Sequence, residues 1–162
     1  GEMNGIATQG MVFIHSAPRA LLPHLEWTMG RILGGPVQPR WLPINASQFR
    51  TEFHWQGDQQ TGPDITSELM GWKSLRFEVT NDLYRWSFTP TLGLFQTATD
   101  DAGNILVNEF RMKAALEFAG SNAIELQRQM RMLIGQPWDE ELEQFRMHGA
   151  EAPIIWLKSA TN

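Results

Sequence analysis

A short apolar run, residues 11–15, constrains the fold of this chain more than any other segment. Its residues are apolar and partly β-branched, which is typical of a strand. Val12 and Ile14 point to one side of such a strand. Met11 and Phe13 point to the other side, so both faces need to be covered. The run therefore predicts a central strand with packing layers on both faces of its sheet, and C-terminal helices are the natural second layer.

A helix is expected to follow this strand. Ser16 is the predicted N-cap, whose hydroxyl oxygen accepts a hydrogen bond from a backbone N–H of the first turn, and Pro18 is suited to that first turn. Pro23 places the start of the regular helix near residue 22, and Gly34, followed by Gly and Pro, ends it. The apolar stripe of this helix consists of Leu22, Leu25, Met29, Ile32 and Leu33.

The rest of the chain alternates between strand and helix patterns. Strands are predicted at 37–44, 49–55, 75–80, 84–88, 95–99, 105–107 and 154–157. Helices are predicted at 63–72, 108–118 and 122–134, with a last helix that opens at Pro137. The order β-α-β-β-α-β through residue 80 is that of the ferredoxin-like split βαβ sandwich. We therefore expect an α+β fold with a ferredoxin-like core, extended by further antiparallel hairpin strands and by C-terminal helices.

The length and composition favour one folded domain. The chain has 162 residues, of which 42% are hydrophobic and 19% are charged, unlike the polar composition of disordered chains. We expect residues 10–107 to form the α+β sheet core and residues 108–162 a helical extension with a final strand. Residues 1–9 are expected to be a disordered start, with Gly1 and Glu2 left from an expression tag.

The charge and the cysteine content exclude several classes of function. Thirteen basic residues against eighteen acidic residues give a net charge of -5. The chain therefore has no surplus of the basic residues that bind nucleic acids or anionic membranes. The sequence contains no cysteine, which excludes disulfides, thiolate catalysis and cysteine-bound zinc. There is no signal-peptide pattern and no apolar span of about 20 residues. We expect a cytoplasmic protein with neither a nucleic-acid nor a membrane partner.

The segment from residue 15 to residue 27 carries the best candidates for chemistry. One hypothesis places a pocket at the end of the first strand, with His15 as acid or base and Ser16, His54 or Glu26 nearby. The alternative is that Ser16 only caps the helix. At about 100° per residue, His24 lies about 140° and Glu26 about 60° from Met29, so the two cannot form a helical metal clamp.

Sequence signatures of the common catalytic families are missing. The chain has no P-loop, no dinucleotide-binding glycine fingerprint, no nucleophile elbow and no paired His/Asp metal motif. We therefore expect neither a cofactor nor a metal, and the sequence argues against an enzyme more than for one.

Polar residues alternate with the apolar residues of the predicted sheet. Arg50, Glu52 and His54 share one face of their strand, and Arg76 with Glu78 continues it across the sheet. One interpretation is a solvated face with cross-strand ion pairs. The alternative is an anion-binding ring of cations formed by Arg50, Arg76 and Arg85.

A candidate interface lies on the first helix. Trp27 is about 160° from Met29 and should face outward with His24. Tryptophan, methionine and arginine are enriched in interfaces, so we predict a partner-binding surface formed by His24, Trp27, Arg31 and an exposed Trp138. The alternative is that the C-terminal region covers Trp27 as core. Self-association through an edge at residues 37–44 is a further option, which Pro39 and Pro43 disfavour.

Several sequence blocks together resemble a family of uncharacterised proteins, a domain of unknown function from high-GC Gram-positive bacteria. The blocks occur in order as HSAP (15–18), PHLEW (23–27), RFEVT (76–80), TPTLG (89–93), EELE (140–143) and APIIWL (152–157). The resemblance spans nearly the whole chain. It implies a link to fatty-acid or acyl metabolism, and it assigns no catalytic residue. We expect a non-catalytic accessory or regulatory protein that binds another protein, such as an acyl-metabolism enzyme.

Overall fold

The computed structural model of the protein describes residues 7–146. Within this range the chain forms one seven-stranded sheet, in which every pairing is antiparallel and the order is β2-β3-β1-β4-β5-β6-β7. The strands are β1 (Thr8–Pro18), β2 (Leu42–Pro43), β3 (Gln48–Gly57), β4 (Arg76–Thr80), β5 (Tyr84–Thr89), β6 (Gly93–Thr99) and β7 (Ile105–Leu106). The expected α+β class is confirmed.

Five α-helices accompany this sheet in the described part of the chain. They are α1 (Leu22–Leu33), α2 (Thr61–Leu69), α3 (Glu109–Ala119), α4 (Ala123–Leu133) and α5 (Gln136–Arg146). A short 3-10 helix, Arg19–Leu21, joins β1 to α1. No helix of residues 7–146 is long and apolar enough to cross a membrane.

One face of the sheet packs against α1 and α2. Val12 and Ile14 of β1 lie opposite Val79 and Phe77 of β4, and all four side chains are fully buried. Leu25 and Met29 of α1 and Ile65 and Leu69 of α2 complete this core. The spacing of these residues is two in the strands and four in the helices, as a helix layer on a sheet requires.

Helix α5 covers part of the opposite face. It contacts β1 and β5, and its Leu142 is fully buried. Phe13, on this second side of β1, is also buried. The prediction that both faces of the central strand are covered is therefore confirmed within the described residues.

Two local predictions around the first helix are wrong. Ser16 does not cap a helix, because β1 continues through a bulge to Pro18 and Ser16 is a buried strand residue. Helix α1 begins after Leu21, without a side-chain cap. The strand predicted at 37–44 is reduced to Leu42–Pro43, since its prolines cannot donate to the ladder.

The predicted starts of the helices in the C-terminal half agree better with the structure. Asn108 accepts from the backbone N–H of Arg111 at the start of α3, and Asn122 accepts from that of Glu125 at the start of α4. The contact at Asn122 is one of the two hydrogen bonds of the expected capping box. The Glu125 carboxylate, which would make the other, pairs with Arg128 instead. The strand predicted at 154–157 lies outside the described residues.

Candidate functional site

A β-bulge in the central strand brings two polar side chains to one face of the sheet. Ile14 pairs with Thr51 and Ala17 with Phe49, so His15 and Ser16 together lie opposite the single residue Arg50 of β3. On the other side of β1 the register also shifts between Ile14 and Ser16. A bulge re-aims side chains in this way because one strand carries an extra residue. His15 and Ser16 therefore both face the layer that α5 covers, and both are buried.

Glu78 of β4 is the centre of a buried hydrogen-bond network beside this bulge. Its Oε1 lies 2.9 Å from His15 Nε2 and accepts from the Arg146 guanidinium at 2.8 Å. Its Oε2 accepts from the Ser87 hydroxyl at 2.9 Å. Glu78 has no exposed surface, so these three contacts replace the water that a carboxylate otherwise requires.

The surroundings of Glu78 keep it ionised. Burial alone raises the pKa of this carboxyl, but the hydrogen bond from His15 and the charges of Arg146, His15 and Arg85 outweigh burial. The pKa of Glu78 is lowered from 4.5 to about 2. Because an ionised carboxylate only accepts hydrogen bonds, His15 Nε2 carries the hydrogen of the shared bond. The other ring nitrogen, Nδ1, then presents a lone pair when the imidazole is neutral.

Two buried nitrogens at the bulge have no hydrogen-bond partner among the described residues. They are Nδ1 of His15 and Nε of Arg50. The Arg50 side chain is 4% exposed, and its ion pair in the described region is a long one, 3.4 Å to Glu52. Buried polar atoms are nearly always paired, so these two make the bulge one place in the described residues where polar groups lie close together without all being paired.

Acidic residues of α5 pair with the other arginines of this face. Arg76 donates to Glu141 at 2.8 Å, and Arg85 lies 3.7 Å from Asp139. Burial raises the pKa of Asp139 although Arg85 and Arg146 oppose the shift. The interpretation of a solvated face with cross-strand pairs is therefore wrong for Arg76 and Arg85, because helix α5 lies on this part of the face and supplies their carboxylates.

The structure separates the proposed ring of three arginines. Arg76 and Arg50 flank the bulge on opposite sides, and Arg76 donates to the Ser16 hydroxyl oxygen at 3.4 Å. Arg85 is two strands from β1, on β5, and pairs in register with Thr80 and Thr97. Of the three candidate anion ligands, Arg50 and Arg76 remain next to His15 and Ser16.

Two of the four residues of the catalytic hypothesis are far from the bulge. His54 pairs in register with Met11, four residues before His15, which is about 13 Å along the strand. The exposed His54 ring is hydrogen-bonded to Gln9 at 3.0 Å. Glu26 belongs to α1 on the opposite face, where it accepts from the Trp41 indole at 2.8 Å. The tetrad of His15, Ser16, His54 and Glu26 is therefore not assembled, and only the first two are neighbours.

Metal-binding groups do not cluster in residues 7–146. No set of three or more His, Asp or Glu side chains in this range is arranged to hold a metal ion. What the bulge offers is an imidazole oriented by a carboxylate, a hydroxyl and an incompletely paired guanidinium. Such groups can bind an oxyanion or accept a proton from a bound molecule.

A second candidate surface lies on α1. Trp27 is 68% exposed, and His24 and Arg31 are exposed as well, so the predicted outward direction is confirmed. The Arg31 guanidinium lies 5.4 Å from the Trp27 ring centroid and is paired with Glu68 at 2.7 Å. Beside Trp27 runs a groove of about 530 Å³, bounded by α1 and by residues 35–38. We call His24, Trp27, Arg31 and this groove the α1 surface.

Trp138 does not belong to the α1 surface. It is 6% exposed on α5, across the sheet from α1, and its indole N–H donates to the Gly93 carbonyl at 2.9 Å. Its ring stacks on Phe95 with centroids 5.1 Å apart. The predicted exposure of Trp138 is wrong. The acidic residues at the start of α5 suggested an exposed segment, but the other side of this helix is apolar and packs on the sheet.

A comparison with protein families gives a match that covers most of the chain. A family model described as a protein of unknown function, DUF3145, matches residues 11–159. The chain belongs to this family. No curated protein and no solved structure matches the chain.

In this DUF3145 chain, sequence reasoning missed Ser87 and Arg146 as parts of the network at Glu78. Both are ordinary polar residues of elements that look amphipathic, so their types alone give no signal. Glu78 offered a weak one, because it lies between Phe77 and Val79 in a strand whose neighbours are also apolar. A carboxylate in the centre of a sheet that is covered on both faces needs cationic or hydrogen-bonding partners.

Proposed function

We propose that the protein is a non-catalytic accessory or regulatory protein that binds another protein through the α1 surface. The observation that carries the proposal is the exposure of Trp27, 68% of whose surface is open to solvent. Tryptophan is the residue type most enriched in binding hot spots, where its large ring is buried by the partner. A tryptophan left exposed on a rigid helix is therefore a natural anchor.

The neighbours of Trp27 support this proposal. Leu25 and Met29 are fully buried and hold α1 to the sheet, so the exposed ring stands on a fixed support. Arg31 is oriented by Glu68 and lies against the Trp27 ring, which lowers the ordering cost of a contact. The groove beside the ring gives a partner side chain a concave place to enter.

An acyl-metabolism enzyme is the partner class that we propose, and the cytoplasm is the compartment. The support for the partner class is the link to fatty-acid metabolism that the family resemblance implies. The lack of cysteine is compatible with a reducing compartment.

For the core of the fold we propose a ferredoxin-like relationship. The order of the first four strands across the sheet is β4-β1-β3-β2, with antiparallel neighbours. Helices α1 and α2 are the two connections and contact each other. This arrangement supports a split βαβ origin, to which β5, β6 and β7 were added.

The test compares proteins captured in the native cell by the wild-type chain and by two variants. Trp27→Ala removes the anchor. Leu83→Ala is the matched control, since Leu83 is 53% exposed in the turn between β4 and β5. We expect one partner to be retained by wild type and by Leu83→Ala and to be lost with Trp27→Ala. With the purified partner, Trp27→Ala should weaken binding at least about 30-fold, the loss typical of a hot spot.

Retention of the same partner by Trp27→Ala with unchanged affinity contradicts the proposal. Capture of a second copy of the chain instead, seen as a doubled mass, would assign the α1 surface to self-association.

A further inference from the structure

We propose that the β1 bulge is a binding site for a small oxyanion that carries an O–H group, of which hydrogenphosphate is the simplest member. The site consists of His15, Ser16 and Arg50. This inference is independent of the α1 surface, which lies on the other face of the sheet.

Arg50 supplies the charge that an oxyanion requires. Its side chain is 4% exposed, yet within residues 7–146 its ion pair is the 3.4 Å contact with Glu52. Its Nε has no partner in that range. A guanidinium presents five N–H donors in a planar fork, and the N–H of Nε is one that finds no partner here. Burying a cation so incompletely paired costs free energy, and an oxyanion is the group that matches the fork.

His15 selects for a ligand that brings its own hydrogen. Nε2 donates to Glu78, so Nδ1 is the ring nitrogen that remains for a ligand, and it carries a lone pair in the neutral ring. That nitrogen is buried and unpartnered among the described residues. An O–H group of the ligand can donate to it, whereas a fully deprotonated oxyanion would meet the lone pair and be repelled.

Ser16 adds a hydrogen-bond donor next to these two groups. Its oxygen accepts from Arg76 at 3.4 Å, which leaves the hydroxyl hydrogen to donate to an oxyanion. The bulge places His15 and Ser16 opposite Arg50 on the adjacent strand, and adjacent strands are about 4.8 Å apart. The bulge therefore brings the three residues together on one face of the sheet.

The rim of the site keeps contact with solvent. The side chains of Glu52 and Arg76 are 18% and 22% exposed. The charge of Arg76 is balanced by Glu141, so Arg50 is the cation with capacity for a ligand.

The test is isothermal titration calorimetry of the wild-type chain with inorganic phosphate and with sulfate at equal ionic strength. Sulfate has the shape of phosphate but carries no O–H near neutral pH. We expect about one phosphate per chain and at least tenfold weaker binding of sulfate, the loss expected for one unmade hydrogen bond to a buried group. Glycerol phosphate in place of phosphate then distinguishes a phosphate monoester from the free ion, and glycolate tests a hydroxy acid.

Two arginine variants test the residue assignment. Arg50→Met removes the donors while keeping much of the volume, and we expect at least tenfold weaker phosphate binding. Arg128→Met is the matched control because Arg128 lies on the outside of α4, 58% exposed, and its binding should equal that of wild type. Equal affinity of the two variants overturns the proposal, as does equal affinity for sulfate and phosphate.

A measurement on the wild-type chain covers the case in which Arg50→Met does not fold. The imidazole ¹⁵N resonances of His15 should shift on addition of phosphate, while those of the exposed His24 and His54 should not. No shift at His15 and no saturable heat up to about 10 mM phosphate would overturn the proposal.

Discussion

At the scale of single residues, the network around Glu78 makes stability depend on pH. Its pKa falls from 4.5 to about 2 on folding, so its contribution is complete above pH 4.5 and is lost as the pH falls towards 2. The shift corresponds to about 3 kcal/mol. Glu78→Gln should lower the free energy of unfolding at pH 7 by about 3 kcal/mol, because Arg146 keeps its buried charge without the carboxylate.

Urea unfolding of wild type and Glu78→Gln at pH 7, 4.5 and 2.5 measures this effect. The difference between the two proteins should shrink as the pH falls from 4.5 towards 2, because Glu78 then binds a proton in the unfolded chain and the folded protein loses the advantage of its ionised carboxylate. A difference that stays constant across this range would contradict the assignment of the charge to Glu78.

Two tryptophans on opposite faces should respond very differently to truncation. Trp27 is 68% exposed and Trp138 is 6% exposed. Trp27→Ala should change the free energy of unfolding by no more than about 0.5 kcal/mol. Trp138→Ala should cost about 3–5 kcal/mol, because it leaves a cavity beside Phe95 and an unpaired Gly93 carbonyl. Chemical denaturation of both variants provides the comparison, and a large loss for Trp27→Ala would mark it as a core residue.

At the scale of elements, the turn between α4 and α5 positions the layer that covers the bulge. Gly135 has a φ of 75°, and a Cβ atom there would lie 2.5 Å from the Phe95 ring. Gly135→Ala should therefore lower the free energy of unfolding in two ways. Alanine in the left-handed conformation costs about 1–2 kcal/mol, and the contact of its Cβ with Phe95 costs about 1–3 kcal/mol more through overpacking.

Gly34 is the matched control for this substitution. It has a φ of 82° with no heavy atom within 4 Å of a built Cβ, so Gly34→Ala should cost the conformational part alone. Urea midpoints of the two variants separate the contributions. Equal losses of stability in the two variants would show that the Phe95 ring can move aside without a cost in free energy.

Elements whose signals are local could be predicted from the sequence, whereas contacts between distant elements could not. The bounds of α1 could be predicted because the residues that mark its start and its end, Pro23 and Gly34, are part of the local sequence. The bulge at His15 could not be predicted, since it depends on the register with both β3 and β4. The interpretation of a solvated face failed at Arg76 for the same reason, because the carboxylate that pairs with Arg76 is that of Glu141 on α5, 65 residues later in the chain.

At the scale of the whole molecule, the central strands β1 and β4 are packed more deeply than helix α3. Val12 and Val79 in β1 and β4 are fully buried. Helix α3 buries Ala115 and Ala119, while its Phe110 is 84% exposed. Amides of β1 and β4 should therefore exchange hydrogen only with global unfolding, and amides of α3 should exchange by local opening at much lower free energy.

Hydrogen exchange followed by mass spectrometry of peptic fragments tests this gradient. Equal protection of α3 and β1 would show that α3 unfolds only together with the sheet, and α2, which is packed in the core, serves as the internal reference for a well-protected helix.

The central position of β1 has a consequence for how the protein is made. Both strands that flank β1 are translated after it, and the second, β4, ends at Thr80. A nascent chain emerging from the ribosome thus exposes the apolar β1 run until its partners arrive, because domains close as units during synthesis. This early strand is where a chaperone would bind the growing polypeptide.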